Sequence, residues 1–384
     1  MKTYDYIITG AGASGLMLAY RMATDPFFRN THILLIDTQK KNSNDRTWCY
    51  WGTDTDDWDA FIHKRWNHIR FASPDHTKCY SISPCAYKMI RSQPFYAALW
   101  QTIDNVSHIA FAKEKVLHIT ETSLGVQVQT AINTYTGHQV INSILLKQHY
   151  QNQQKYPVLQ QHFLGWFIKT KDPFFDTDRA TLMDFELPQQ GHTRFMYVLP
   201  LSKTEALVEY TLFSKKLLPE TEYETAIQQY LSKRGVTDYQ ILEKEKGAIP
   251  MTCYKFDQHN SKNILHIGTA GGWTKASTGY TFKNSTKKTR ALVEFLKHEN
   301  KLSNFSKRNR FWYYDLLFLD VLARYNEQGV LLFSSMFRKG NTTTILKFLD
   351  EETSFSEELK TMLCMPKWPF IKTLFLRIFG LKTR

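Results

Sequence analysis

The opening forty residues constrain the fold more tightly than any other part of this chain. Tyr4–Thr9 is a short β-rich run, followed at once by Gly10-Ala11-Gly12-Ala13-Ser14-Gly15 and then by Leu16–Ala23, made almost wholly of helix formers. A second apolar strand, His32–Ile36, ends in Asp37, which lies 22 positions after Gly15. A lone G-x-G-x-x-G says little. Strand, glycines, helix, strand and terminal acid in this order spell a dinucleotide-binding β-α-β unit. In that unit Gly10 permits the tight turn, Gly12 lets backbone approach the pyrophosphate and Gly15 lets helix and strand pack closely. Backbone N–H groups of Ala11 through Ser14 face the phosphates with the positive end of the helix dipole, and the Asp37 carboxylate reaches a ribose hydroxyl.

FAD suits the rest of the chain better than NAD. The fingerprint is followed by Asp45-Arg46, not by a third alternating β/α unit. Far downstream, Asn263–Ile267 is another apolar strand, running into Gly268-Thr269-Ala270-Gly271-Gly272. A late strand of this kind can return to the cofactor and cover its ribityl and flavin parts; the alternative is an unrelated glycine loop.

Composition narrows the function. With 42% hydrophobic and 22% charged residues the chain is globular. The 14% aromatic content points to a large apolar cavity or a lipid-facing surface, or else to an aromatic core. Lys and Arg exceed Asp and Glu by 49 − 36 = 13, which favours an anionic partner, here a membrane surface, since no nucleic-acid-binding signature is present. No uncharged apolar run is long enough to span a bilayer. The N-terminus passes from Met1-Lys2-Thr3 into a strand with no room for a secretory signal. Five cysteines without a C-x-x-C pair fit reduced cytoplasmic thiols, and the histidines lack metal-ligand spacing, so no metal is expected.

The predicted fold class is α/β: a Rossmann-like FAD-binding domain of the glutathione-reductase or hydroxylase kind, with an inserted β-rich substrate domain and a helical C-terminal region. Residues 1–50, 80–150 and 245–300 are assigned to the first, 51–79 and 151–244 to the second, and 301–384 to the third. Residues 46–68 read as aromatic-rich loop and short elements, 87–104 as a helix, 113–148 as strands, 149–155 as an exposed connection and 220–233 as a helix. Phe163–Ile168, Arg194–Leu199 and Ala206–Phe213 read as strands. Alternation on the last puts Leu207, Glu209 and Thr211 on one face and Ala206, Val208 and Tyr210 on the other.

Several segments resemble, in order and nearly end to end, the FAD-dependent lycopene β-cyclase family of bacteria and plants. They include the N-terminal glycines; Asn44-Asp45-Arg46-Thr47-Trp48-Cys49-Tyr50-Trp51, similar to the family's D-R-T-W-C-F-W box; Tyr87–Ser92; and Gln161–Trp166. They continue with Ala180–Phe185, Tyr197–Leu201, Ala206–Thr211, Glu245–Met251, Ile267–Gly272 and Ser277–Phe282. The tryptophan box and the Thr-Gly-Tyr segment are the specific ones. The resemblance implies a redox-neutral reaction: an acid protonates a terminal double bond of linear lycopene, a nearby alkene attacks the cation, and proton loss leaves a β-ionone ring, giving γ-carotene or β-carotene. It also implies reduced FAD, required but not consumed, with NADPH as the source of electrons.

Leu207-Val208-Glu209-Tyr210-Thr211 corresponds to the family's Phe-Leu-Glu-Glu-Thr box, which makes Glu209 the first catalytic candidate. Tyr210 departs from the second acid. Asp184 is the second candidate, positioning the proton donor or serving as a structural turn acid. Arg46 and Arg91 stand where a cation meets FAD phosphates or the flavin edge, or where a surface salt bridge forms. Gly268, Thr269, Gly271 and Gly272 complete the cofactor set, with the Thr269 hydroxyl where relatives of the wider fold carry an acid. Competing functions on the same fold are a flavin monooxygenase or hydroxylase and a prenyl-chain reductase. Finally, the tail from Pro366 carries Lys367, Lys372, Arg377, Lys382 and Arg384 and no acid, and at helical spacing Phe370, Ile371, Leu374, Phe375, Ile378 and Phe379 share one half of the surface. Lys372 and Arg377 flank that face, their stems placed to snorkel. This predicts peripheral attachment at the cytoplasmic membrane's inner face; the alternative is a helix docked on its own domain.

Overall fold

The computed structural model describes residues 3–53, 56–123, 125–305 and 307–379. The N-terminal motif folds as its sequence dictates. Thr3–Thr9 is the central strand of a seven-stranded sheet, parallel to Ile33–Asp37 on one side and to Thr134–Asn142 on the other, with Ile109–Lys113 parallel beyond Ile33–Asp37. Gly125–Thr130 and Val116–Thr122 form an antiparallel flap beyond Thr134–Asn142. The late strand Ile264–His266 joins the same sheet, parallel to the distal half of Thr134–Asn142. The return predicted for this segment therefore takes place in the sheet itself. Helices Ala13–Thr24, Ser92–Asp104 and Phe282–Leu296 cover it, burying Leu16, Leu18, Leu99 and Leu292.

A second seven-stranded sheet holds, in order, Tyr239–Met251, Leu159–Thr170, Glu205–Ser214, Thr193–Pro200, Arg179–Asp184, His68–Ser73 and His76–Ser81. All pairings are antiparallel except that of Arg179–Asp184 with His68–Ser73. Tyr239–Met251 crosses the 244/245 division as one continuous strand of this sheet. Both faces are covered. Ala206, Val208, Tyr210 and Leu212 pack beneath the helix Glu220–Lys233, while Leu207 and Phe213 face the opposite core together with Trp51, Tyr87 and Phe333. The alternation predicted for Leu207–Thr211 is the observed one.

Thr47–Gly52, Ala86–Arg91 and Ile62–Trp66 form a small third sheet between the two large ones. Here the sequence reading needs correction. Residues 86–91 are a strand, and the helix begins only at Ser92. Every residue of that strand is buried, so it carries no polar alternation to mark it. Lys88 is buried too, bonded to Asp59 at 2.6 Å and Asp56 at 2.9 Å. The stretch 46–68, read as loop and short elements, supplies two of the three short strands, and Lys147–Gln151 adds a short helix to the connection expected at 149–155. The C-terminal region is helical from Arg310 to Ile378, interrupted by short connections. Among the described residues, no helix is long and apolar enough to cross a membrane.

Candidate active site

The glycines form a cradle with distinct roles. Gly10 has φ of +91°, and its N–H donates to Ile36 O at 2.8 Å, closing the turn. A Cβ on Gly15 would lie 1.9 Å from Gly10 O, so only glycine lets the helix approach the strand. A Cβ on Gly12 would meet no protein atom within 4 Å: the space beside it is open, as a bound pyrophosphate requires. The Asp37 carboxylate closes the same mouth, accepting from the Ala11 N–H at 2.5 Å and the Thr38 N–H at 2.6 Å. From the far end of the chain, Ser285 Oγ lies 2.8 Å from Ser14 Oγ, and Gly268 sits so close that a Cβ there would be 2.6 Å from Ser14 Oγ. Gly268 and Gly272 hold φ of +58° and +68°, and a Cβ on Gly271 would strike His266 O at 2.1 Å. Thr269 Oγ1 accepts from Thr274 Oγ1 at 3.1 Å, which in turn meets Thr281 Oγ1 at 2.9 Å. The residues present fit a dinucleotide at Gly10–Gly15, with Gly268–Gly272 beside it.

The strand Thr47–Gly52 links this cradle to the second sheet by alternation. Trp48 and Tyr50 stack on Phe282 in the nucleotide-domain core, at centroid distances of 5.0 and 5.5 Å. Thr47, Cys49 and Trp51 point the other way. Thr47 Oγ1 donates to Glu245 Oε2 at 2.6 Å, and Trp51 meets the Tyr280 ring edge-on at 4.9 Å. Tyr280 is carried by a loop that Lys275 and Ser277 pin to Asp315, at 3.0 and 2.8 Å. Tyr87 Oη lies 2.7 Å from Tyr197 Oη and 3.5 Å from Tyr280 Oη. A small cavity of about 10 Å³, room for about one water, lies here, lined by Cys49, Trp51, Tyr280, Phe282, Lys283 and Asp350 among others.

Glu209 faces this aromatic group, buried to 8% exposure on the strand Glu205–Ser214 and paired across the sheet with Tyr197. Its one hydrogen bond among the described residues comes from Thr211 Oγ1 to Oε1 at 2.6 Å. Loss of water raises its pKa, the charge of Glu245 raises it further, and Thr211 offsets a part; the carboxyl is pushed up to about 8. Glu245 was not among the sequence candidates. It stands in the same row, because Gly165 pairs with Glu209 on one side and Glu245 on the other. Burial raises its pKa as well, against the pull of Thr47, Arg91 and Arg46. The signal for it was present: Glu245–Met251 is one of the resembling segments, but its register against Gly165 is not written locally.

Asp184 is elsewhere. Its carboxylate is fully buried and takes bonds from Arg70 Nη1 and Arg234 Nη2, both at 2.8 Å, Tyr230 Oη at 2.9 Å and the Glu186 N–H at 3.0 Å. Tyr230 belongs to the helix on the opposite face of the sheet, so the structure does not bring Asp184 together with Glu209. Tyr210 also lies on that helix side, bonded by Arg194 at 3.0 Å. Arg46 is exposed, and its N–H donates to Ser92 Oγ at 3.0 Å. Arg91 is buried over the Phe167 ring at 4.0 Å with Nη2 on Glu243 at 2.5 Å, beside the carboxylate row, while its Nη1 has no hydrogen-bond partner among the described residues.

A nucleotide cradle joined through an aromatic strand to a sheet with a buried acid on its inner face defines a Rossmann-like FAD-binding flavoprotein fold. Solved structures agree on that fold. The chain superposes on a geranylgeranyl bacteriochlorophyll reductase-like protein from Thermoplasma acidophilum with a TM-score of 0.65 at 13% identity, over 98% of this chain and 100% of that one. A flavoprotein/dehydrogenase from Cytophaga hutchinsonii gives 0.59 at 12% identity, over 97% and 99%. The chain belongs to the lycopene cyclase protein family, which it matches over residues 5–375. A lycopene beta-cyclase from Pantoea ananas is 25% identical over 65% of this chain, and the match spans 63% of that enzyme, just under two thirds of its length.

Proposed function

We propose that the protein is a lycopene β-cyclase, closing the linear ends of a carotene into β-ionone rings with no net oxidation or reduction. The observation that carries this reading is the setting of Glu209: a carboxyl 8% exposed, with one hydroxyl partner among the described residues and its pKa raised by loss of water, on the face of the sheet that carries Trp51, Tyr87 and Tyr197. Ring closure needs a proton donor in a dry apolar site, and burial with a single hydroxyl partner makes one. Glu209 protonates the terminal double bond, the neighbouring alkene attacks the tertiary cation, and loss of a ring proton leaves an isomer of the substrate. The rings of Trp51, Tyr87, Tyr197 and Tyr280 exclude water, and each face turned to a cation stabilises it by about 0.5–2 kcal/mol. Asp184, with its charge fully compensated, holds the sheet and its helix together instead of carrying a proton.

FAD fits the cradle. Gly10, Ala11, Gly12, Ser14 and Gly15 would hold its phosphates, Asp37 a ribose, and Gly268, Thr269, Gly271 and Gly272 the ribityl–flavin half. Arg46 is exposed and available to it, whereas Arg91 is engaged by Glu243. When bound in reduced form, FAD supplies an electron-rich ring system that favours developing positive charge. NADPH is the reductant we assign to it. The three-part organisation, nucleotide domain, inserted substrate domain and helical C-terminal region, belongs to the same reading. The test is expression in a lycopene-accumulating bacterium: a cyclic product of unchanged mass is expected, and a product heavier by oxygen or by hydrogen would replace the cyclase reading by a hydroxylase or a reductase.

A substrate insoluble in water has to be collected from a bilayer, and the tail supports peripheral attachment there, at the inner face of the cytoplasmic membrane. The helix Lys367–Ile378 is docked, but only by one edge. Phe370 packs near Phe318, Thr373 is buried, and Arg377 makes a two-point pair with Asp320. Arg377 is thereby removed from the snorkelling role expected of it, and Lys382 and Arg384 lie outside the described residues. Trp368, Phe375, Ile378 and Phe379 remain 56–72% exposed, and Phe355, Leu359 and Leu363 of the preceding helix Phe355–Leu363 are exposed as well. Exposed apolar side chains of this size, on a chain of net charge +13, suit an anionic lipid surface. Co-sedimentation with anionic vesicles should weaken when the chain ends at Met365; equal binding would rule the tail out as anchor.

A further inference from the structure

The second carboxylate beside Glu209 has a specific place. Gly165 lies between Glu209 and Glu245 in the sheet, so these two side chains flank a position that carries none. Side chains alternate along each strand, which puts both carboxyls on one face, one on either side of Gly165. A Cβ on Gly165 would sit 2.8 Å from Leu207 Cδ1 and 3.2 Å from Glu209 Cβ, so the glycine leaves the room into which Leu207 and Glu209 lean. Each carboxyl is tethered through one oxygen only, Glu209 Oε1 by Thr211 and Glu245 Oε2 by Thr47, and the hydrogen bonds among the described residues leave the second oxygen of each free.

The surroundings of the two differ. Glu209 looks onto Cys49, Tyr87, Tyr197 and Tyr280, none of them a cation. Glu245 has Arg91 and Arg46 within electrostatic reach, with Glu243 acting against them. Two neighbouring carboxyls, Glu209 buried and Glu245 half-buried, do not both ionise readily, and the one near the cations gives up its proton first. The pair therefore carries one proton, held on Glu209, and one negative charge, held on Glu245.

Resting on the cyclase reading, we infer that Glu209 and Glu245 are an acid–base pair across Gly165, Glu209 giving the proton that starts ring closure and Glu245 removing the proton that ends it. The O–H bond of Glu209 breaks as a C–H bond forms at the terminal alkene carbon. The next alkene's electron pair forms the ring C–C bond. A C–H bond beside the cationic carbon then breaks, its electrons become the ring double bond, and its proton goes to Glu245. One proton passed from Glu245 to Glu209 resets the pair, so nothing is consumed. Which C–H bond faces Glu245 decides where the ring double bond lies, which makes Glu245 the residue that selects the β ring over its double-bond isomers.

The experiment compares wild type with Glu245→Gln and Thr47→Val, each with flavin content verified, for rate, ring-isomer composition and pH profile. Glu245→Gln should turn over at least about 100-fold more slowly, and its residual product should shift toward other ring isomers. Its activity should also fall off at lower pH than wild type, because removing the neighbouring charge lets Glu209 ionise earlier. Thr47→Val keeps both carboxyls but takes a hydrogen bond from ionised Glu245, so the acidic limb of its profile should move to higher pH. Glu245→Gln with wild-type isomer composition and an unmoved alkaline limb would overturn the pairing, as would Thr47→Val with an unmoved acidic limb should Glu245→Gln fail to fold. A wild type that forms no ring from lycopene sinks the cyclase reading itself.

Discussion

Glu209 and Asp184 are buried acids on two strands of the same sheet, and they could hardly be treated more differently. Asp184, on the helix side, is surrounded by two guanidiniums, a phenol and a backbone N–H. Glu209, on the aromatic side, has one hydroxyl. Burial alone does not make an acid reactive. An ionised carboxylate that keeps its partners after leaving water is a brace, whereas one that loses them holds its proton and can give it away. The sheet separates the two roles by the pleat alone.

The contrast can be broken at either end, and the largest effect is expected at Glu209. Glu209→Gln removes the only transferable proton there, so ring formation should fall below detection while flavin content stays at the wild-type level. It should also alter stability in a signed way. Folded Glu209 has its pKa raised from 4.5 to about 8, so between those values the folded chain holds a proton that the unfolded chain has released. Wild-type stability therefore falls as pH rises through this window, and the Gln variant should lose less, as urea unfolding at pH 6 and at pH 8.5 would register. Catalysis by the wild type should decline above about pH 8 for the same reason. Substantial cyclic product from the variant would move the proton donor elsewhere.

Asp184→Asn should do the reverse. Arg70 and Arg234 would be left with Glu186 alone, at 3.9 and 3.3 Å, so the cost should stay below the about 3–5 kcal/mol of an uncompensated buried charge, while the activity of each molecule that remains folded is unchanged. A lowered kcat at unchanged thermal stability would contradict the division of roles drawn here. The smallest effect is expected from Thr211→Val, which deletes the one bond that favours ionised Glu209. A hydrogen bond of about 1 kcal/mol corresponds to roughly 0.7 of a pH unit, so the alkaline limb should move upward by about that much. A downward shift would reverse the assignment of the hydroxyl.

The nucleotide cradle was legible in the sequence because its signals are local: a turn, a helix start and a strand end within forty residues. The face of Glu209 was legible for the same reason, since alternation along one strand needs no partner. Glu245 was not, because its closeness to Glu209 depends on two strand registers with Gly165 in the middle. Asp184 stood in an apolar tetrad that resembles a pocket wall, and its compensating arginines come from positions 70 and 234. Tyr87–Arg91 misled for another reason. A strand buried on both faces offers no polar period, and Tyr87 and Arg91 happen to stand four apart.

The bond between Ser14 and Ser285 spans 271 positions, and the strand Ile264–His266 enters a sheet whose centre is the first strand of the chain. During synthesis the fingerprint emerges first and is completed late. The second sheet is drawn mostly from residues 159–251 and already has its neighbours when Tyr239–Met251 leaves the ribosome. The face of that sheet under the helix Glu220–Lys233 has its partners by then, whereas the other face waits for Phe318, Phe333 and Phe337 from the C-terminal helices, an order set by loop closure. A nascent chain stalled before Ser285 would hold every residue of the glycine motif and no finished cradle for it to serve.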